Sequence, residues 1–189
     1  MQSSPSTVYS QSIDKQRIVV VGQSSSRIAE MIIYVLNYFK RKFDYSTPSQ
    51  EKISQAAVII IEPPKGSDNY LEYNHHILII SQLSADDKPI ISLLANATPK
   101  SGTIIYDDTN PFAREIAKVE RADVFLNPYA TAKQEIAGGK VTLISGSNEK
   151  FPIQVSSTDD LKDISAAKEL LKKIGISSAQ FYKAIASFQ

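Results

Sequence analysis

Short runs of consecutive apolar residues alternate along the chain with segments whose apolar residues are spaced three and four positions apart. The runs predict strands that are buried on both faces of a sheet, and they cover residues 18–21, 57–61, 77–80, 103–106 and 123–126. The segments between the runs predict helices. Strands that alternate with helices indicate an α/β fold, with a mostly parallel sheet flanked by helices.

The first strand, loop and helix form the most informative stretch of the sequence. Residues 18–21 are all β-branched, and Gly22 permits a sharp exit from the strand that they predict. Ser24, Ser25 and Ser26 can each cap the helix that follows. A strand, a glycine loop and a helix form the arrangement that binds phosphate in nucleotide-binding folds.

A small antiparallel addition is predicted near residues 134–155. Gly138 and Gly139 separate two strand-like segments, which predicts a hairpin, and a further strand follows the hairpin. Two helices are predicted to close the chain. Ser177 and Gln180 form a capping box for the second of them.

Composition excludes several classes of function. The 189 residues suffice for one domain with a sizeable core. The 21 Lys and Arg residues and the 20 Asp and Glu residues leave a net charge of +1, which argues against a nucleic-acid partner. No cysteine occurs, so disulfides and cysteine-based metal sites are excluded. No apolar run approaches the length that spans a bilayer, so we expect no membrane partner.

The N-terminal residues differ from the rest of the chain in composition. Residues 1–15 are expected to form a flexible N-terminal arm, and residues 16–189 to form one α/β domain. The start of the arm is rich in Ser and Gln, and it has neither the basic start nor the apolar core of a signal peptide. We therefore expect a cytoplasmic protein.

Five segments stand in the order of a known family. They are 18–38, a strand, loop and helix; 56–62, a strand ending in an acidic residue; 76–87, a strand and an acidic turn; 99–108, a turn and a strand; and 161–188, a pair of closing helices. In order and apolar pattern they resemble the central ATPase domain of the Mur ligases of bacterial peptidoglycan synthesis. The resemblance is to the branch that attaches tripeptide to UDP-N-acetylmuramate in cell-wall recycling, and it covers residues 16–189.

The resemblance implies the fold and, in an intact member, formation of an amide bond with ATP and Mg²⁺. ATP phosphorylates a carboxylate, and an amine then attacks the acyl phosphate. The resemblance also implies two flanking domains, one that binds UDP and one that binds an amino acid, for which these residues leave no room. We therefore expect a homo-oligomer or a partner protein in their place, and either self-association or an exposed apolar patch near residues 181–188.

This sequence differs from the family at the family's functional positions. The family's loop glycine, lysine and threonine fall on Ser25, Ser26 and Arg27, so that these residues with Gly22 and Ser24 form a degenerate phosphate-binding loop. Ser26 supplies no charge. Arg27 could approach phosphate as a guanidinium. It lies one position further along the helix, however, about 100° round its axis, so we expect it to point elsewhere, as a solvent-exposed arginine.

Acidic residues provide the remaining candidates for a site. Glu62, Asp86 and Asp87 follow predicted strands, where open α/β sheets place their ligands, and they are candidates to hold Mg²⁺ or Ca²⁺. The alternative is that they are solvated loop residues or helix caps. Asp160 and Asp163 fall on positions that lie near adenine in the family. They begin a predicted helix, where negative charge is favourable without any ligand.

These observations leave two main hypotheses, and no residue stands out as catalytic. The leading hypothesis is a degenerate, non-catalytic homologue of the Mur ligase central domain, which acts as a binding or scaffold protein in a bacterial cell-wall context and needs no cofactor. The alternative is an ATP-dependent UDP-N-acetylmuramate–peptide ligase, or a ligase subunit completed by a partner, which would use ATP and Mg²⁺. A third hypothesis is binding of a nucleotide or sugar nucleotide without hydrolysis.

Overall fold

The structure is a computed structural model that describes residues 2–67, 69–118, 121–138, 140–154 and 157–188. Its main sheet has seven strands, which are, in chain order, β1 (Gln16–Val21), β2 (Asp44–Ser46), β3 (Glu51–Lys52), β4 (Val58–Ile61), β5 (Ile77–Ile80), β6 (Thr103–Asp107) and β7 (Phe125–Tyr129). Across the sheet they run in the order β3-β2-β4-β1-β5-β6-β7. All neighbouring strands are parallel except β2 and β3. The predicted α/β class with a mostly parallel sheet is confirmed.

Helices cover both faces of this sheet. They are α1 (Pro5–Ser10), α2 (Ser25–Tyr38), α3 (Lys88–Asn96), α4 (Pro111–Ala117), α5 (Thr158–Lys173) and α6 (Ser178–Ile185), with a 3₁₀ helix at Tyr70–Tyr73. Helices α2, α5 and α6 bury one face, and α1, α3 and α4 bury the other. The central strands are therefore apolar on both sides, which explains their unbroken apolar runs. In the described part of the chain, no helix is long and apolar enough to cross a bilayer.

The predicted antiparallel addition is a separate sheet of three strands. It consists of β8 (Gln134–Ala137), β9 (Lys140–Ile144) and β10 (Lys150–Ile153), in the order β10-β9-β8. Phe151 stacks on Tyr182 of α6, with ring centroids 5.0 Å apart, and Leu143 is fully buried. These contacts attach the small sheet to the closing helices. Gly139 and the predicted end of the last strand at residue 155 lie outside the described residues.

The last strand of the main sheet begins later than its apolar pattern predicts. Residues 123–126 were expected to form it, but β7 begins at Phe125. The Asp123 carbonyl accepts a hydrogen bond from the Ser101 amide at 2.7 Å, and its carboxylate pairs with Arg121 at 2.8 Å. Asp123 is therefore held in a turn that precedes the strand.

The expectation of a flexible arm over residues 1–15 is wrong for the residues from 2 onward. Ser4 caps helix α1, whose Val8 is fully buried against the sheet. Ahead of the helix, the Ser3 hydroxyl donates to the Glu51 carboxylate at 2.7 Å, and Gln2 Nε2 donates to the Glu62 carbonyl at 2.9 Å. A cap and a single buried valine hold the segment in place, although its Ser- and Gln-rich composition is typical of a disordered one.

The expected apolar patch near residues 181–188 is also corrected. Phe181 is fully buried and Phe188 is 9% exposed. The ring of Phe188 packs edge-on against Tyr34 of α2, with centroids 5.2 Å apart, and Tyr34 donates to the Ser187 carbonyl at 3.1 Å. The C-terminal aromatic residue therefore belongs to the core, and self-association stays a prediction without this patch as its basis.

A substitution at Gly22 tests how closely the turn after β1 is packed. Its φ is +105°, and a Cβ atom there would lie 2.9 Å from the Gln82 carbonyl and against the Ser81 hydroxyl. We expect Gly22→Ala to lower the free energy of unfolding by about 2–4 kcal/mol, since it combines a strained φ with a clash against backbone. Urea denaturation measures the loss.

Gly66→Ala is the matched control for this substitution. Gly66 also has a positive φ, +76°, but nothing lies within 4 Å of the position that its Cβ would take. It therefore reports the cost of the backbone conformation alone. Equal losses in the two variants would show that close packing at Gly22 contributes nothing.

Candidate functional site

The phosphate-type loop lies at the carboxyl ends of three neighbouring strands. It leaves β1 at Gly22 and enters α2 at Ser25. Glu62 follows β4 on one side of β1, and Ser81 follows β5 on the other. Open parallel sheets bind their ligands at this edge, so these residues form the candidate site.

The segment that follows β5 already accepts hydrogen bonds from two backbone amides of the loop. The Gln23 amide donates to the Gln82 carbonyl at 2.8 Å, and the Ser24 amide donates to Ser81 Oγ at 3.2 Å. Ser81 Oγ in turn donates to the Val21 carbonyl at 3.0 Å. Backbone amides of this kind are what a phosphate-binding loop presents to its ligand. Ser81 was not a sequence candidate, although its place directly after a buried strand was the available signal.

Glu62 receives the hydroxyl groups of two loop serines. Ser25 Oγ donates to Glu62 Oε1 at 3.2 Å, and Ser26 Oγ donates to the same oxygen in a short contact. The Glu62 residue is only 4% exposed. A carboxylate buried to this extent needs hydrogen-bond donors, and the loop supplies them. The positions on which the resembled family's loop glycine and lysine fall are thus turned toward a protein carboxylate.

Arg27 is directed away from the loop and toward the closing helices. Its Nε lies 3.4 Å from Asp160 Oδ1 of α5, and its guanidinium lies 4.5 Å from the centroid of the Phe188 ring. Glu30 approaches at 3.8 Å on the same helix. With two acidic partners and an aromatic face, Arg27 joins α2 to the end of the chain.

Asp160 and Asp163, which fall on positions near adenine in the resembled family, make hydrogen bonds at the start of α5 and with the loop. Asp160 accepts from the Ser157 amide at 3.0 Å, which completes a capping box at the start of α5. Asp163 hydrogen-bonds the side chain of Ser24. Burial raises the pKa of Asp163 to about 7, its hydrogen bond to Ser24 opposes the rise, and the nearby Asp160 and Asp159 add to it.

The candidate metal ligands are not gathered into one cluster. Asp87 accepts from the Ser84 amide at 2.9 Å and from its hydroxyl at 2.7 Å, which are contacts within a turn. Asp86 is exposed. Throughout the described ranges, no three His, Asp or Glu side chains are placed to hold a metal ion. Glu62, Asp86 and Asp87 therefore do not form a three-carboxylate site.

A cavity of about 260 Å³ opens beside the loop, between the segments that follow β4 and β5. Gly22, Gln23, Asp86 and Asp87 contribute to its walls. Lys65 also lines it, and its ammonium donates to the Gln23 carbonyl at 3.4 Å. Lys65 carries no signal in the sequence, because it stands in a Pro- and Gly-containing turn outside any motif.

The residues present do not supply what ATP and Mg²⁺ need at this edge. Ser26 carries no charge, Arg27 is paired with Asp160, and the Ser25 and Ser26 hydroxyls are bonded to Glu62. Phosphoryl transfer depends on cations placed around the transferring group. The loop hydroxyls are instead bonded to the buried carboxyl group of Glu62.

No protein-family model matches the sequence, and no curated protein is significantly similar to it. Solved structures do match the fold. A murein peptide ligase from Psychrobacter arcticus shares 15% identity and a TM-score of 0.73, with 97% of this chain and 49% of that chain covered. The UDP-N-acetylmuramoylalanyl-D-glutamyl-2,6-diaminopimelate–D-alanyl-D-alanyl ligase from Acinetobacter baumannii shares 11% identity and a TM-score of 0.75, over 98% and 48%. Folylpolyglutamate synthetase from Lactobacillus casei shares 11% identity and a TM-score of 0.69, over 97% and 66%.

These likenesses confirm the predicted resemblance at the level of fold. The chain is similar in architecture to part of each ligase, and the sequence identities of 11–15% carry the comparison no further. The chain spans about half the length of the two peptidoglycan ligases.

Asp163 gives this site a pH dependence that can be measured. The pKa of its carboxyl is about 7 in the folded protein against an ordinary 3.8, so the folded state binds the extra proton between these values. Stability contributed by the protonated form is therefore present at low pH and is lost as pH rises through about 4 to 7. We expect Asp163→Asn to gain on the order of 1–3 kcal/mol relative to the unmodified chain between pH 4 and pH 8.

Urea denaturation at several pH values measures this difference. Asp159→Asn is the control, since Asp159 begins the same helix but is exposed. The pKa assignment is contradicted if the stability of Asp163→Asn follows the same pH profile as that of the unmodified chain.

Proposed function

We propose that the protein is a degenerate homologue of the Mur ligase central domain, which does not bind ATP–Mg²⁺ and acts as a non-catalytic binding or scaffold protein. The observation that carries the proposal is the pair of hydrogen bonds from Ser25 and Ser26 to the buried Glu62. In these contacts, the hydroxyl groups of the loop donate to a carboxyl group of the protein itself. A ligand phosphate would have to break them and would then face an uncompensated carboxylate.

The magnitudes favour loss of nucleotide binding. A charge-assisted hydrogen bond to phosphate is worth about 1.5–3 kcal/mol, and Ser26 cannot form one as the family's lysine would. Arg27 stands where a metal-binding hydroxyl is expected. Two such losses of about 2 kcal/mol each weaken binding on the order of a thousandfold, which turns a micromolar site into a millimolar one.

The setting of this function follows from the fold likeness and remains part of the proposal. The Psychrobacter arcticus structure is described as a murein peptide ligase, and we infer a bacterial cell-wall context for this chain as well. We infer a cytoplasmic location on the same ground. A second copy of the chain or a partner protein would stand where the remaining half of the similar ligases lies.

The alternative function is an ATP-dependent ligase, or a ligase subunit completed by a partner. One observation favours it, which is that the Lys65 ammonium lies 3.4 Å from the Gln23 carbonyl, on the rim of the loop. An exposed lysine on a long side chain can turn toward a phosphate and replace part of the missing charge. In that case ATP would bind and Lys65 would be required.

Titration calorimetry with ATP–Mg²⁺ separates the two functions. We expect no binding heat from the unmodified chain at submillimolar nucleotide, because the loop lacks its cation and is bonded to Glu62. The triple variant Ser25→Gly, Ser26→Lys, Arg27→Thr restores the residues of the family's loop, and we expect it to gain measurable binding.

Two variants serve as controls for this titration. A micromolar dissociation constant in the unmodified chain would overturn the proposal. If Lys65→Met then abolishes binding, the ligase alternative is supported with Lys65 as the replacement cation. If Arg27→Ala abolishes it, the arginine has left Asp160 for the phosphate.

A further inference from the structure

A second and larger cavity lies at the opposite edge of the main sheet. Its volume is about 500 Å³, and it opens beneath the amino ends of β1, β5 and β6, where Gln16, Ile77 and Thr103 stand. Cavities that hold metabolites usually measure roughly 300–1,000 Å³. It lies at the opposite ends of β1 and β5 from the phosphate-type loop, so its occupancy is independent of the function proposed above.

A buried cation without a carboxylate partner lies next to this cavity. Arg17 is 6% exposed, and its guanidinium donates to the carbonyls of Ser12 at 2.6 Å and Asn74 at 2.8 Å. The Tyr9 ring lies 5.0 Å away. Within the described residues, no ion pair with a carboxylate forms at Arg17. Burying a guanidinium is costly unless a negative charge compensates it, and burial lowers the pKa of Arg17.

His76 lines the cavity and presents a donor to the same point. Its Nδ1 accepts the Arg17 backbone amide at 3.0 Å, and a backbone amide can only donate. Burial and, after it, the charge of Arg17 lower the pKa of His76, so the ring is neutral and its single proton sits on Nε2.

Two hydrogen-bond donors therefore face each other. His76 Nε2 and Arg17 Nη2 are 3.4 Å apart. Neither nitrogen can accept from the other, since both carry hydrogen. An oxygen atom of an anion that accepts from both would resolve this arrangement and would supply the missing negative charge.

The rim of the cavity carries positive charge, which suits an anionic ligand. Lys100 and Lys173 line it with exposed side chains, and Asp14 is the one carboxylate among its described lining residues. The ammonium of Lys15 is bonded to Asp44 at 2.5 Å and contributes no free charge. The Lys173 ammonium lies 5.6 Å from the centroid of the Phe125 ring. Two exposed lysines at the mouth of a concave surface attract an anion.

We propose that this cavity binds a small organic oxyanion of metabolite size, carrying a carboxylate or a phosphate group. One anionic oxygen accepts from His76 Nε2 and Arg17 Nη2, and Lys100 and Lys173 neutralise the remaining charge at the mouth. The shared chemistry is that of a compact oxyanion. Its source, a phosphate ester or a carboxylic acid, is distinguished by the test.

The test is an NMR titration of the full chain with inorganic phosphate and, separately, with succinate, at constant ionic strength. We expect saturable shifts of the His76 ring signals and of the Arg17 amide with at least one of the two probes. Saturation by phosphate alone identifies phosphate compounds as the ligand class, saturation by succinate alone identifies carboxylates, and saturation by both identifies the shared oxyanion chemistry.

Substitutions of exposed residues test the proposal without disturbing the folded structure. Lys100→Gln with Lys173→Gln should raise the dissociation constant about tenfold, as expected for the loss of two charge contacts. Lys65→Gln, at the opposite edge of the sheet, should leave it unchanged. The proposal is overturned if sodium chloride reproduces the shifts, if neither probe saturates at millimolar concentration, or if the double variant binds as the unmodified chain does.

Discussion

A buried carboxylate at the end of a parallel strand constrains the whole ligand edge of this fold. Glu62 is 4% exposed, and a carboxyl group buried to this extent needs hydrogen-bond donors. Ser25 and Ser26, at the start of α2, are the donors that reach it. The same contact ties the end of β4 to the first turn of the helix, so the loop between β1 and α2 closes on the protein itself.

The packing of the fold does not depend on which side chains the loop carries. Strands β1, β4 and β5 are buried between two helical layers, and apolar contact holds them in register. The loop conformation rests on Gly22 with its φ of +105°, on two bonds to residues 81 and 82, and on the serine bonds to Glu62. A lysine or threonine in the loop would contribute to ligand binding and little to this packing, so a chain can lose them and keep its architecture.

Local patterns predicted the elements, but contacts between distant segments decide the site. Unbroken apolar runs identified the central strands, and the Ser177–Gln180 capping box occurs as predicted. The Ser24–Ser81 and Ser26–Glu62 contacts join segments 57 and 36 residues apart, and no local pattern carries that information. Helix α1 was missed because one buried valine outweighs a polar composition.

The central claim is that the loop is held by its own carboxylate, and a double-mutant cycle tests it most directly. Unfolding free energies would be measured for the unmodified chain, for Ser26→Ala and Glu62→Ala, and for the double variant. The free-energy cost of the cavity that each truncation leaves then cancels in the cycle. A part-buried hydrogen bond from a hydroxyl to a carboxyl group predicts a coupling energy of about 1–3 kcal/mol. Additive effects, with a coupling under about 0.5 kcal/mol, would contradict the claim and leave the loop open to an incoming phosphate.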